Sequence, residues 1–317
     1  MTEAGAARRG WALHLGIVAL LVGAWFVLPA YHTGNLARIL VLAAYAAGFN
    51  LVFGYAGLLS LGHALFFAAG LYGLSLAMRH AELAAVPAFG VGLVAAGAVA
   101  AAVGYLALRT RGVAFMIVTL MFAQAGYLLT LYAGAWTRGD EGFTIPRAAR
   151  QVAGLDLADE RNRYFAALAL FAAVFLALGH LATTGFGRSL VAIRENEERA
   201  RLLGYDVQRI KLVAVIASGV VSGAAGAAYA LLFGYAGATF ASVQYSILPL
   251  LWVLLGGAGT AIGPLIGTVF MFYLVDLASE VTDAYLLVVG VALIALTLFL
   301  PLGIAGELRR RVLSWLP

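Results

Sequence analysis

Ten stretches of this 317-residue chain are apolar for long enough to cross all or part of a membrane, and that repetition limits the fold before any single residue is weighed. A membrane-crossing helix needs about 20 apolar residues for a ~30 Å hydrocarbon core, where every backbone N–H and C=O must pair without water. Runs of that kind fall near 11–30, 37–55, 59–78, 84–107, 113–133, 163–182, 211–235, 260–281 and 284–300. The tenth, Ile247 to Leu255 before Gly256-Gly257-Ala258-Gly259, is too short to cross alone, so 246–259 reads as a short or re-entrant helix that counts as a crossing. With 63% hydrophobic and 11% charged residues and a mean hydropathy of +0.97, the chain reads as an all-α polytopic membrane protein and not as a water-soluble domain.

Charge gives the expected orientation. Placing the N-terminus inside puts Arg8, Arg9, Arg109, Arg111, the six basic residues from Arg188 to Lys211, and Arg309 to Arg311 in cytoplasmic segments, 13 of the chain's 20. That satisfies the positive-inside rule with both termini cytoplasmic. The run from Trp11 to Ala30 is longer than the apolar part of a signal peptide and no small-x-small site follows it, so it reads as a retained first span.

Several chemistries are excluded by what the chain lacks. Without cysteine there is no disulfide framework, thiol catalysis or cysteine-ligated metal. The single lysine, Lys211, lies in Arg-Ile-Lys-Leu and not in the Gly-Lys-Ser/Thr of a phosphate loop, so the chain is not its own ATPase. No acid lies between Ala4 and Ala81 or between Leu83 and Gly139, which argues against an ion-coupled carrier. Asp276 falls ~22 Å along its helix and reads as interfacial. His14, His32, His63, His80 and His180 show no helical pairing with one another or with a carboxylate, so no metal site or catalytic constellation is expected. The basic residues are too diluted by apolar sequence for nucleic-acid binding.

Two polar loops interrupt the apolar sequence, 134–162 expected outside and 183–210 expected inside. Phe53-Gly54-Tyr55-Ala56-Gly57 recurs as Phe233-Gly234-Tyr235-Ala236-Gly237, at the ends of two spans running in opposite directions. An inverted five-plus-five repeat would place them so. In the inner loop Leu190, Ile193, Ala200 and Leu203 recur at helical spacing beneath a charged face, and Gly204 suits a helix stop, so one amphipathic helix is expected over 188–204.

Glu198-Arg199-Ala200 with Gly204 resembles the Glu-Ala-Ala-x-x-x-Gly coupling loop of ABC importer permeases. The stretch from Asn50 to His63, the run from Arg111 to Leu120 and the run from Leu255 to Pro264 are similar to signatures of the branched-chain amino-acid permeases of the LivM type, in their order and spacing. Leu58, where that family often carries glutamine, and Arg138, in a Thr-Gly-Gly-like outer motif, depart from the pattern, so polar roles there are not carried over. The resemblance implies the fold of the ribose and vitamin B12 permeases in a bacterial inner membrane. It further implies a second, related permease, two ATPases that use the ATP, and an extracytoplasmic substrate-binding protein. The chain itself would be no enzyme and bind no cofactor. The substrate class is a branched-chain or other hydrophobic amino acid, with urea or a short amide, or a facilitator acting without ATPases, as alternatives.

The expected organisation is a cytoplasmic segment 1–10, one permease domain 11–300 and a cytoplasmic tail 301–317. ATPase coupling is expected of Arg188, Arg194, Glu195, Glu198, Arg201 and Gly204, with Leu190, Ile193 and Leu203 fastening the helix to the bundle. A zwitterion crossing spans with few ionised groups needs partial charges from helix ends and broken backbone. The expected pathway residues are accordingly Gly57, Gly256, Gly257 and Gly259, with Asn50, Ser60, His63, Thr119 and Gln124 as polar side chains.

Overall fold

The computed structural model describes residues 3–311, so the ends of the expected segments 1–10 and 301–317 lie outside the described residues. Helix α1 (Glu3–Val27) turns at once into α2 (Ala30–Asn50), which continues through a π-turn over Leu51–Tyr55. The sequence places this first turn several residues later. Pro29 decides the point, because its fixed φ of −58° and missing N–H suit the residue before a helix. Helices α3 (His63–His80), α4 (Ala85–Ala107) and α5 (Val113–Tyr132) follow. After a segment with a short α6 (Gly134–Thr137) and strands β1 (Phe143–Thr144), β2 (Gln151–Val152) and β3 (Leu155–Asp156) comes α7 (Glu160–Thr183). Then come α8 (Gly185–Glu195), α9 (Glu197–Leu202), α10 (Val207–Phe233), strand β4 (Tyr235–Ala236) and α11 (Val243–Gly256). Helices α12 (Gly263–Val281), α13 (Tyr285–Phe299) and α14 (Gly303–Arg311) complete the described chain.

Among the described residues eight helical segments are long and apolar enough to cross a membrane: α1, α2 with its π-turn, α4, α5, α7, α10, α12, and α13 taken with α14. Helix α11, with 14 residues, is the short helix that the sequence leads one to expect. Its Pro249 lacks the N–H that would bond the Tyr245 carbonyl one turn earlier. The Tyr45 hydroxyl from α2 donates to that carbonyl instead, at 3.1 Å.

Small residues let the central helices touch through their backbones. A Cβ on Gly70 of α3 would fall 2.0 Å from the Gly223 carbonyl oxygen of α10, and one on Gly226 would fall 2.0 Å from the Phe67 carbonyl oxygen. Close approach of this kind replaces the hydrophobic driving force that apolar surroundings do not supply. Helix α10 packs on both α3 and α4, with Gly219 against Ala100 and Gly104 against Val215. Helix α2 packs in the same way on α11 and α12. Tyr45 stacks on Tyr245 and meets Trp252 edge-on, and the Tyr31 hydroxyl donates to Asp276 at 2.7 Å. The second helix of each half thus packs on the third and fourth of the other. The two Phe-Gly-Tyr-Ala-Gly stretches occupy matching places, each six residues before the helix that follows, at His63 and at Val243.

One end of the bundle gathers the basic loops. Trp11 meets His180 at a tilt near the end of α7, Gln208 donates to the Leu108 carbonyl of the α4–α5 turn, and α14 packs on Gly257. Part of the expected tail is therefore ordered helix against the bundle, with Ala305 buried. The opposite end carries the segment 134–159, in which β1 pairs with β4 and β2 with β3 in antiparallel register. The β2–β3 turn, Ala153-Gly154, has two positive φ values, 50° and 80°, as a twist-matched two-residue hairpin requires.

Candidate functional site

At the basic end the chain between Arg188 and Gly204 is two helices, not the single helix expected. Asn196 takes an extended conformation (φ −158°) and its Oδ1 accepts the Arg199 N–H at 2.8 Å, so it ends α8 and caps α9. Gly204, with φ +88°, stands where the second helix stops. Leu190, Ile193 and Ala200 are buried against the bundle. Leu203 is 71% exposed and fastens nothing, which corrects the expected role; the break at Asn196 turns that side chain off the buried stripe. Arg188, Glu195 and Glu198 are exposed on the outer surface of the pair.

Arg201 and Lys211 share one carboxylate. Glu197 takes Arg201 Nη2 at 2.6 Å on one oxygen and Lys211 Nζ at 2.5 Å on the other, joining α9 to the start of α10. Partial burial raises the Glu197 pKa, but the Lys211 hydrogen bond and charge, with Arg201 and Arg111, outweigh it and hold the carboxyl below its ordinary value. A recess of about 210 Å³ between these helices and the α4–α5 turn is lined by Arg111, Arg194, Arg201 and Lys211 among others.

Arg194 is exposed along part of its length, yet its guanidinium reaches inward. Its Nη1 donates to the Gly54 carbonyl in the π-turn of α2, and its side chain lies against Gly57 and Gly259. Both glycines have positive φ, 70° and 76°, and leave no room for a side chain beside the guanidinium. Asn50 fixes the same junction from within. Its Oδ1 accepts the Gly259 N–H and its Nδ2 donates to the Thr260 carbonyl, both at 2.9 Å. Two of the expected pathway residues, Gly57 and Gly259, therefore meet Arg194 where the end of α2 joins the α11–α12 turn, and a third, Asn50, bonds Gly259 there. Their polar groups bond to protein and hold the junction shut.

Ser60, His63 and Thr119 form a second group. Ser218 Oγ donates to the Gly48 carbonyl at 2.6 Å, so it accepts from His63 Nε2–H at 2.8 Å. Nδ1 then accepts from Ser60 at 3.2 Å, which assigns a neutral ring from the network. Thr119 Oγ1 accepts the Leu61 N–H at 3.2 Å. The Ala64 N–H at the start of α3 is taken by Ser246 of α11 at 2.9 Å. The cavity these residues border has a volume of about 10 Å³, close to the minimum for one water. Gly256 packs on the Gly263 carbonyl and Gly257, with φ +116°, on α14, so neither faces an opening. Gln124 stands apart, exposed on α5.

Sequence reasoning missed Ser218, Ser246 and the inward reach of Arg194. A serine in an apolar span is the only signal for the first two. For the third, the signal is an arginine two residues before the Asn196 that ends its helix.

The family described as "Branched-chain amino acid transport system / permease component" matches residues 32–298. The chain belongs to this family. It is the membrane permease subunit of an ABC importer, integral and multi-pass in the inner membrane, and not itself an enzyme. This class of permease implies ATPase and binding-protein partners. Among curated relatives, the high-affinity branched-chain amino acid transport system permease protein LivM of Escherichia coli (strain K12) is 29% identical over 92% of this chain and 74% of its own. The Salmonella typhimurium protein of the same name is 28% identical over the same shares. A probable branched-chain amino acid transport permease protein LivM of Methanocaldococcus jannaschii is 30% identical over 48% of this permease and 44% of its own length. No solved structure gives a significant match.

Proposed function

We propose that this permease imports branched-chain or other hydrophobic amino acids, paired with a second, related permease, two ATPases at its basic end and a binding protein at the other. The observation that carries the reading is the likeness to the Escherichia coli protein over 92% of the chain, extending through both Phe-Gly-Tyr-Ala-Gly turns and the α8–α9 pair. The basic end is cytoplasmic on this reading, and 134–162 and 183–210 are the outer loop and the coupling loop of one permease domain spanning 11–300. The crossed packing of α2 and α10 supports an inverted five-plus-five repeat.

All six coupling residues, Arg188, Arg194, Glu195, Glu198, Arg201 and Gly204, are exposed to an ATPase, Arg194 and Arg201 while also bonded within the chain. Ser60, His63 and Thr119 seal the interior of the single chain, which favours a pathway along an outer face shared with the second permease, where Gln124 is exposed. Proteoliposomes holding this chain with all three kinds of partner test the proposal, using labelled leucine, urea and a small amide with and without ATP. ATP-dependent leucine uptake is expected. Uptake of urea or the amide alone would overturn the substrate, and flux through this chain alone without ATP would overturn the coupling.

A further inference from the structure

The two Phe-Gly-Tyr-Ala-Gly turns carry the same kind of contact at opposite ends of the molecule. The Gly54 carbonyl, at the end of α2, accepts from Arg194 of α8. The Gly234 carbonyl, at the end of α10, accepts the Ile145 N–H of the outer segment at 2.8 Å. Arg150 of that segment donates to the Leu232 carbonyl at 3.3 Å, and a Cβ on Gly234 would fall 2.8 Å from its Nη1. Each contact meets a local need, since the last carbonyls of a helix have no partner of their own and carry the negative end of its dipole. Yet the cap comes from 140 residues away in one case and 82 in the other, and each time from a loop outside the bundle.

A cap of this reach has a mechanical consequence. Arg194 touches Gly54 at the end of α2 and Gly259 in the α11–α12 turn, the two sides of the junction that Asn50 closes. A shift of α8 therefore acts on both sides at once. At the other end, the segment 143–150 grips the end of α10 through the β1–β4 pairing and Arg150.

We propose that Arg194 and Arg150 are paired positioning residues, each tying the loop on its own side to the helix end that closes the chain there. Movement of α8–α9 by the ATPases thereby releases or tightens the α2 junction, and movement of the outer segment by a docked partner does the same for the end of α10. The proposal rests on the reading of α8–α9 as the ATPase-facing element.

The test uses the assembled complex with Arg194→Ala, Arg194→Lys and Arg150→Ala, scored by solute moved per ATP hydrolysed and by amide hydrogen exchange. Loss of a coupling contact of this kind should lower transport per ATP by about tenfold in Arg194→Ala. Partial recovery is expected in Arg194→Lys, which keeps one donor for the Gly54 carbonyl. Exchange at 54–62 and 256–262 should respond to ATP in the wild-type complex and no longer respond in Arg194→Ala, while α8 itself still responds. Arg150→Ala should abolish the response at 232–240 to the binding protein. Unchanged transport per ATP together with an unchanged exchange response would overturn the proposal. Failure of Arg194→Ala to assemble with the ATPases would also overturn it, by making Arg194 a direct contact. A wild-type complex that moves no solute would sink the functional reading instead, and the exchange measurements would still decide this one.

Discussion

Helices α2 and α5 are nearly equal in length and apolarity, yet the most apolar stretch of α2 is 89% buried and that of α5 17%. The difference lies in side-chain size. From Leu42 to Phe49 α2 reads Leu-Ala-Ala-Tyr-Ala-Ala-Gly-Phe, and neighbours close on it from every side. Gly48 touches Ser218, Val221 and Ser222, and Tyr45 reaches α11. Helix α5 buries only Phe115, Thr119 and Ala123, a stripe one residue wide, and turns Ile117, Met121, Leu128 and Tyr132 outward. Hydropathy treats the two alike, because it measures transfer out of water and both helices are out of water. What separates them is whether a neighbouring backbone can approach.

The strongest break in this contrast should come at Gly54. A Cβ there would fall 1.9 Å from Asn50 Oδ1 and 2.4 Å from the Gly259 nitrogen, so Gly54→Ala must displace backbone and open both Asn50 bonds. The expected loss is about 4 kcal/mol, read as failure to purify a folded chain or as a collapsed Tm in detergent. Gly16→Ala and Gly290→Ala are the matched controls, with nothing within 4 Å of the added carbon. Both should stay within about 1 kcal/mol of wild type.

Next comes Asn50 itself. Asn50→Ala leaves the Gly259 N–H and the Thr260 carbonyl without partners in a buried site, at a cost of about 2–4 kcal/mol. Thermal unfolding of the isolated chain would show this with no substrate or ATPase present. A wild-type Tm would return Asn50 to the role of a solute contact.

Much of the fold was legible from run lengths and punctuation. The spans expected at 84–107 and 113–133 are α4 at 85–107 and α5 at 113–132, and the short helix before the Gly256 run is α11. What the sequence did not show shares a cause. Ser60, His63 and Thr119 read as pathway residues because they are polar in apolar spans, and the network around them joins residues up to 182 positions apart, beyond the reach of local pattern. Arg194 is exposed like its neighbours Glu195 and Glu198, and nothing in the local pattern shows that its guanidinium also reaches Gly54. An arginine is long enough to leave a charged face and cap a helix behind it. The break at Asn196 was legible in principle, as an asparagine followed by two glutamates, the composition of a helix start.

Tyr45→Phe probes the buried helix more gently. It removes only the hydroxyl that serves the Tyr245 carbonyl orphaned by Pro249, and the ring still packs on Phe67 and Trp252. A loss of about 1–3 kcal/mol is expected. Adding Pro249→Ala, which supplies an N–H for that carbonyl, should recover part of it, and a double variant no better than the single would show that the hydroxyl serves some other end.

The smallest effect on stability is expected on α5, and it carries the sharpest contrast. Gln124 is exposed and its amide makes no hydrogen bond among the described residues, on a helix face otherwise apolar. An amide facing hydrocarbon without a partner is costly, and on the function proposed above its partner is the second permease or the solute itself. Gln124→Leu should therefore change the stability of the isolated chain by no more than about 0.5 kcal/mol, while it alters ATP-driven uptake in the assembled complex. Asn50→Ala should show the opposite ordering, with the loss already present in the isolated chain. If Gln124→Leu destabilised the chain alone and left uptake untouched, α5 would be another packed helix, and the division between a sealed centre and a working outer face would fail.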